Sequence, residues 1–233
     1  MGNDLLLAIK DYRTQGKTYD GFNSKFIALI PKTDHPNSFK DYRPISLCNC
    51  FYKIISKIIA NRIKPILSFH IAKEKFAFLH HKHIREAFGM AQEALHSIKS
   101  KNLKATILKI DLAKAFDRVN WSYLHFILIQ TGFPPTFINW IMGCICHASF
   151  GILINGTASD FFHAGRGLRQ GCPLPPLLFV FVMEGLSTLI KKDKTDGDIH
   201  GLHINDLLHL TRLLFIDDVL ILNLDGSCQD TIQ

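Results

Sequence analysis

Apolar residues follow two different spacings along this chain, and each spacing predicts a different element. Residues 25–30 form a short apolar run that predicts a strand ended by Pro31, and residues 104–111 predict a second strand. Between residues 51 and 67 the apolar positions recur every three or four residues, which predicts an amphipathic helix. Further helices are predicted at 84–98, 121–130 and 137–146. Strands and helices therefore mix along the chain.

The second half continues this mixture. Asn155-Gly156 predicts a two-residue hairpin. A helix is predicted to open near Pro175 and run to Lys191, because proline is tolerated in a first helical turn. A polar turn at 193–201 then precedes a last pair of strands. The pattern predicts an α/β fold, α+β in the strict sense.

Two adjacent aspartates, Asp217 and Asp218, interrupt the apolar residues of that last strand pair. Burying an ionised carboxylate costs on the order of several kcal/mol unless it is paired or bound to a cation. The pair therefore indicates either an acidic turn or a site for a hard cation such as Mg²⁺. Asp111 stands where the strand at 104–111 ends, so it can meet the aspartates of a neighbouring hairpin. Aspartates that hold two Mg²⁺ ions about 3.5–4 Å apart catalyse nucleotidyl transfer.

Composition and charge fit a globular protein with a phosphate partner. Of the 233 residues, 47% are hydrophobic and 20% charged, which argues against disorder. Residues 1–110 carry 19 Lys and Arg against 8 Asp and Glu, whereas residues 111–233 carry 8 against 12. A basic half beside an acidic half suits phosphate binding and metal binding, respectively. A merely soluble basic surface is the alternative.

The cysteines and the apolar stretches bear on the compartment. Six cysteines occur with no Cys-x-x-Cys and no secretory signal, which predicts a reduced, intracellular setting, and their spacing does not favour zinc. Residues 119–159 lack charged Asp, Glu, Lys and Arg, but proline, glycine and polar residues interrupt them. Three prolines open the run at 173–190 and Glu184 interrupts it, so we expect a buried core helix and no membrane partner.

Five short sequence motifs resemble those of a known family. They are FIALIPK (26–32), DYRPISL (41–47), LKIDLAKAFD (108–117), GRGLRQGCPL (165–174) and LFIDD (214–218). In this order they resemble the finger motifs and then palm motifs A, B and C of the reverse transcriptase of plant LINE-type retrotransposons, which lack long terminal repeats. The resemblance implies a polymerase right hand of fingers and palm, with an antiparallel palm sheet backed by helices. It implies RNA-directed DNA synthesis from a primer 3′-hydroxyl, using an RNA template, a DNA primer and dNTPs.

The resemblance also implies roles for acidic and aromatic residues. Asp111 and Asp217 match the catalytic aspartates that bind Mg²⁺, or Mn²⁺ in its place, and Asp218 has a supporting or second-metal role. Asp117 follows the strand, and we expect it to cap or salt-bridge the next helix. Phe116 matches the aromatic residue that lies against the nucleotide sugar, where a ring excludes a ribose 2′-hydroxyl by shape. An ordinary core phenylalanine is the alternative reading of this residue.

Residues of motif B are implied to contact template and nucleotide. Gln170 and Gly171 would line the incoming base pair just before a helix, where free N–H groups and the helix dipole face outward. Arg166 and Arg169 flank them and can reach phosphate.

Basic residues of the first half complete the predicted surface. Lys32 and Arg43 lie in a polar loop at 32–44, and the family uses basic finger residues against the incoming triphosphate. Lys53 and Lys57 fall on the polar side of the helix at 51–67. That side is either a solvated charged face or a nucleic-acid contact.

The predicted organisation has three parts. They are a polar N-terminal segment at 1–21, a fingers-like basic region at 22–104, and a palm-like catalytic region at 105–233. Because 15 residues follow Asp218, we expect a truncated domain without the later palm motifs, the thumb or an endonuclease.

Several positions depart from the family pattern. Ile216 replaces a small residue, Pro175 replaces a serine, and residues 80–82 (HHK) replace a segment that usually contains Gly-Arg. The departures and the length support an alternative function, a catalytically silent remnant that at most binds nucleic acid.

Overall fold

The computed structural model describes residues 2–16, 23–70, 84–146, 148–169, 171–205, 208–216 and 218–224. The α-helices are α1 (Gly2–Gln15), α2 (Cys50–His70), α3 (Ile84–Ser100), α4 (Trp121–Gln130), α5 (Pro135–Cys146) and α6 (Leu174–Asp196). The strands are β1 (Ser24–Pro31), β2 (Tyr42–Leu47), β3 (Ala105–Asp111), β4 (Ser149–Ile154), β5 (Thr157–Ala158), β6 (Phe162–His163), β7 (Leu202–Asn205), β8 (Leu208–Leu210), β9 (Arg212–Phe215) and β10 (Asp218–Leu224). These elements confirm the mixed fold class.

The chain forms two compact units, each built from two separate segments. The first comprises Met1–Ile63 and Phe116–Phe179, and the second comprises Lys64–Ala115 and Val180–Gln233. The predicted division at residues 21/22 and 104/105 stays a prediction.

The first unit contains a mixed five-stranded sheet. Its strand order is β2-β1-β4-β5, with β6 also paired to β4. Strand β1 runs antiparallel to β2 and parallel to β4, so Phe26 has Leu47 on one side and Gly151 on the other. Helix α2 has the predicted amphipathic pattern, since Tyr52 and Ile55 are buried and Lys53 and Lys57 are exposed.

The second unit contains the antiparallel sheet that was predicted from the motifs. Strand β10 is central and pairs with β3 on one side and β9 on the other. Its pairing with β3 runs from Asp218 opposite Asp111 to Leu224 opposite Ala105. Helix α3 backs the sheet, because its Ala94 packs in one apolar cluster with Leu213 and Leu222. Strands β7 and β8 form a separate two-stranded sheet in the same unit.

Three local predictions are wrong, each for a physical reason. Arg43 lies in β2 and not in a loop, because pairing with β1 extends the backbone there. Helix α6 continues to Asp196, since Lys192 and Asp196 are exposed and the Lys194 Nζ lies 2.7 Å from His209 Nδ1, so that these charged residues are compatible with a helix. Asp117 lies in a short 3₁₀ helix, and Asn120 caps α4 instead by accepting a 3.1 Å hydrogen bond from the Tyr123 N–H.

Helix α6 is the one helix in the described part of the chain that is long and apolar enough to cross a membrane. In its most apolar window 56% of the residues are buried inside the protein. Leu174, Leu178 and Phe181 are each 2% exposed or less. This burial fits the core helix expected from the sequence.

Two hairpin turns place their first loop residue in the left-handed region of backbone space. Asn155, between β4 and β5, has φ 49°, and Ile216, between β9 and β10, has φ 52°. Asparagine tolerates this conformation, whereas a β-branched residue is strained there by about 1–2 kcal/mol.

We therefore expect opposite effects from two matched substitutions. Ile216→Asn should raise the free energy of unfolding by about 1 kcal/mol, and Asn155→Ile should lower it by a similar amount. Urea titration of both variants beside the parent chain measures the two changes. A loss of stability in Ile216→Asn would show that the packing of the Ile216 side chain outweighs its backbone strain.

Candidate active site

The antiparallel register of the second unit brings two carboxylates together. Asp111 is the last residue of β3 and Asp218 the first of β10, and the two are directly opposite each other. Residues paired in this way share one face of the sheet, with Cβ atoms about 4.5–5.5 Å apart. Asp111 is exposed and the Asp218 side chain is 48% exposed. The pair therefore presents oxygen donors to solvent at the end of the sheet.

A lysine belongs to the same face. Lys109 precedes Asp111 by two residues, and its Nζ lies 3.6 Å from Oδ1 of Asp218. Both side chains are well exposed, so the pair contributes little to stability. Lys109 matters because of where it lies, since a cation that bound to Asp218 would have to compete with the Lys109 ammonium group. Sequence reasoning missed this residue, although strand alternation places residues 109 and 111 on one face.

The carboxylate oxygens of Asp111 and Asp218 are the kind of ligand that binds a hard divalent cation. Carboxylate oxygens are the ligands that Mg²⁺ prefers, and Asp111 and Asp218 would hold it. Asp217, the predicted third carboxylate, lies outside the described residues. Within the described ranges no group of three or more His, Cys, Asp or Glu side chains is placed to bind a metal. Asp218, predicted to have the supporting role, is the aspartate that faces Asp111.

Phe116 lies in the first unit, in the short 3₁₀ helix Phe116–Arg118. Its ring stacks on Phe179 with 4.6 Å between centroids and 22° between planes. The residue is half-buried.

The start of the GRGLRQGCPL segment is fixed against the segment that carries Phe116. The Leu168 N–H donates to the Phe116 carbonyl at 2.7 Å, and the Gly167 N–H donates to the Val119 carbonyl at 2.8 Å. Trp121 Nε1 donates to the Gly167 carbonyl at 2.8 Å. Three hydrogen bonds within one unit therefore set the position of residues 167–168.

Glycine is required at position 167. Its φ is +96°, and a Cβ there would stand 2.8 Å from the carbonyl oxygen of Asp117. Any side chain would separate the two segments. The glycine at position 167 of this motif thus has a packing cause.

The prediction that Arg169 reaches phosphate is wrong. Arg169 is 7% exposed, and its guanidinium donates to Asn23 Oδ1 at 2.9 Å and to the Ile145 carbonyl at 2.8 Å. It also lies 5.2 Å from the ring centroid of Tyr52. A buried cation needs such partners, so Arg169 supports the first unit and is not available to nucleic acid.

The sequence predicts free backbone N–H groups at the start of α6, but the first three residues of this helix offer none. The Leu174 N–H donates to Ser56 Oγ at 3.2 Å, and Pro175 and Pro176 have no N–H. Gly171 lies against β2, where a Cβ would meet the Ser46 carbonyl at 3.4 Å. Gln170 lies outside the described residues.

The remaining basic candidates are exposed on the first unit. Lys32 follows β1, and its Nζ donates to the Lys40 carbonyl at 2.7 Å. Asp41 shapes this loop by accepting hydrogen bonds from Ser38 and Asn37, which lower the pKa of its carboxyl. The other exposed cations among the predicted residues are Arg43, Lys53, Lys57 and Arg166.

A family profile and several known proteins match this chain over most of its length. The sequence profile described as reverse transcriptase (RNA-dependent DNA polymerase) matches residues 30–227. The transposon TX1 uncharacterized 149 kDa protein of Xenopus laevis is 31% identical over 169 residues, which is 72% of this chain and 13% of that protein. The Pol polyprotein of a type-1 retrotransposable element R2 from Popillia japonica is 24% identical over 195 residues, 83% of this chain and 26% of that protein. The chain thus spans about a quarter or less of these two relatives.

A solved structure shows the same fold. Telomerase from Candida albicans, in complex with a TWJ fragment of telomeric RNA, superposes with a TM-score of 0.60 at 12% identity. The match covers 91% of this chain and 39% of that one. The predicted fold class is confirmed, and the profile match over most of the chain shows that it belongs to the reverse transcriptase (RNA-dependent DNA polymerase) family, as the reverse transcriptase domain of a retrotransposon without long terminal repeats.

Proposed function

We propose that the chain is the RNA-directed DNA polymerase domain of a plant LINE-type retrotransposon, extending a primer 3′-hydroxyl along an RNA template with dNTPs. The observation that carries the proposal is the register that sets Asp111 opposite Asp218 on one open face. The sequence motifs around both aspartates support the plant LINE lineage. Asp111 and Asp218 would hold Mg²⁺, or Mn²⁺ in its place, and the bound ion would supply activation of the attacking hydroxyl and stabilisation of the leaving phosphate.

The side chains of the chain itself orient and balance this site. Asp111 and Asp218 extend from two strands held by one ladder, so their relative position is fixed by the backbone. When no metal ion is bound, Lys109 forms an ion pair with Asp218 and offsets the repulsion between the two carboxylates. Asp217, next to Asp218 in sequence, is the third carboxylate that we assign to this site.

Nucleotide and nucleic acid would meet the first unit. Exposed cations on one folded unit attract phosphate with a strong dependence on salt, and we assign this role to Lys32, Arg43, Lys53, Lys57 and Arg166. We assign Phe116 to the sugar of the incoming nucleotide, since its stacking on Phe179 gives the ring a fixed plane. Gln170 and Gly171 are assigned to the base pair and template.

A silent remnant is the second candidate function. It is favoured by the start of α6, where two prolines and the bond to Ser56 leave no N–H among the first three residues for a phosphate. For either function we propose an intracellular location, supported by the free thiols of Cys48, Cys50, Cys144, Cys146 and Cys172.

Primer extension on poly(rA)–oligo(dT) with Mg²⁺ distinguishes the two functions. We expect Asp111→Asn and Asp218→Asn each to lower incorporation about 100-fold or more, because each removes a ligand of the metal. Asp198→Asn, an exposed aspartate of the same unit, is the matched control and should keep full activity. Equal activity in all four proteins contradicts the site. No incorporation by the parent chain, with salt-sensitive RNA binding retained, establishes the silent remnant.

Arg166 and Arg169 provide a second test, since they are three residues apart but differ in burial. Arg166→Ala should weaken RNA binding, reduce the slope of log K against log salt by about one, and change stability by less than about 0.5 kcal/mol. Arg169→Ala should lower the free energy of unfolding by about 3 kcal/mol, because it leaves Asn23 and the Ile145 carbonyl without their partner. Filter binding at several salt concentrations and urea titration measure both. A stable Arg169→Ala protein with weakened RNA binding would reverse our assignment.

A further inference from the structure

Two thiols that are distant in sequence meet in the first unit. Cys172 Sγ donates to Cys48 Sγ at 2.9 Å, although 124 residues separate them. Cys48 lies between β2 and α2, and Cys172 lies between Gly171 and α6. Cys172 is 7% exposed, Cys48 is half-buried, and both are free thiols. Solvent therefore reaches the pair through Cys48.

A buried lysine, Lys25, interacts electrostatically with both thiols. Lys25 is 1% exposed, and its Nζ lies 3.1 Å from the ring centroid of Tyr52. No oxygen or nitrogen in the described part of the chain accepts a hydrogen bond from it. Burial and the neighbouring Arg169 lower the pKa of Lys25 to about 8, so it remains largely protonated at neutral pH. A buried ammonium without an oxygen partner favours an anion beside it.

The two sulfurs have different acidities as a result. The pKa of Cys48 is lowered to about 6, first by the hydrogen bond from Cys172 and then by the nearby charges of Lys25 and Arg169, which together outweigh the opposing effect of burial. The same bond, together with burial, raises the pKa of Cys172. As a thiol, Cys48 has only the Ser46 carbonyl, at 3.8 Å, as a backbone acceptor among the described residues. Cys48 is therefore the thiolate of the pair and Cys172 the thiol.

We propose that Cys48 and Cys172 form a reversible, peroxide-oxidised dithiol site, in which Cys48 is the attacking sulfur and Cys172 the resolving one. The contact of the two sulfurs within one unit and the buried ammonium beside them carry this inference. It goes beyond polymerase activity and does not depend on it. The bond would tie the end of β2 to the residue after Gly171.

The chemistry balances with hydrogen peroxide as the oxidant. The Cys48 thiolate attacks one peroxide oxygen, an S–O bond forms, the O–O bond breaks, and the released hydroxide takes a proton and leaves as water. Cys172 then attacks the sulfur of the Cys48 sulfenic acid. An S–S bond forms, the S–O bond breaks, and the Cys172 proton leaves with the second water. The two thiols lose two electrons and the peroxide becomes two waters.

The other described cysteines differ in ways that make them controls. Cys144 is buried and hydrogen-bonded to the Tyr12 hydroxyl at 3.0 Å, and burial raises its pKa to about 11. Burial also raises the pKa of Cys146. Cys50 is exposed and two residues from Cys48, so it reports on accessibility alone. If exposure alone determined reactivity, peroxide would oxidise Cys50 first. The proposed site predicts that peroxide oxidises Cys48 first.

The test treats the full chain with hydrogen peroxide at neutral pH, blocks the remaining thiols with N-ethylmaleimide, and identifies linked peptides by mass spectrometry. We expect a peptide pair joining Cys48 to Cys172, removed by dithiothreitol and unchanged in Cys50→Ser. Cys172→Ser should stop at a Cys48 sulfenic acid that dimedone traps. The same treatment in concentrated urea should lose the specific link, because only the fold brings the two sulfurs together.

Native protein that keeps Cys48 and Cys172 open to N-ethylmaleimide while Cys50 is oxidised would overturn the proposal. So would a link that forms equally in urea. If Cys172→Ser does not fold, the linked peptide of the parent chain decides the matter alone.

Discussion

The antiparallel ladder between β3 and β10 determines whether the two carboxylates of the candidate site can act together. Its register sets Asp111 opposite Asp218, and a shift of one residue would move either carboxylate to the other face of the sheet. The register is maintained by the burial of one face, where Leu213 of β9 and Leu222 of β10 pack against α3. Ordinary hydrophobic packing in the second unit thus fixes the spacing of two charged groups at its open end.

The first unit depends on a different kind of contact, namely polar groups buried among aromatic rings. Arg169 and Lys25 both lie over the ring of Tyr52, and Arg169 is also bound to Asn23. Such an arrangement is stable only while each cation keeps its partners. The same buried charges act on Cys48, so one cluster both supports the unit and activates a thiol.

Periodicity and turn chemistry were sufficient to predict most of the elements. The helical spacing after Phe51 and the Asn155-Gly156 turn are local signals, and both predictions are confirmed. The errors concern residues whose environment is set by distant partners. Arg169 reads as a surface cation because nothing nearby in sequence indicates Asn23, 146 residues away. The contact between Cys48 and Cys172 was unpredictable for the same reason, whereas strand alternation could have identified Lys109.

Paramagnetic broadening by Mn²⁺ in a ¹⁵N–¹H NMR spectrum shows whether Asp111 and Asp218 bind a cation, because it locates a bound cation without requiring catalysis. We expect the amide signals of residues 111 and 218 to broaden first and excess Mg²⁺ to restore them. In the double variant Asp111→Asn, Asp218→Asn the amide signals of both positions should stay sharp. Broadening centred elsewhere in the chain and unchanged in that variant would contradict a metal site at these two residues.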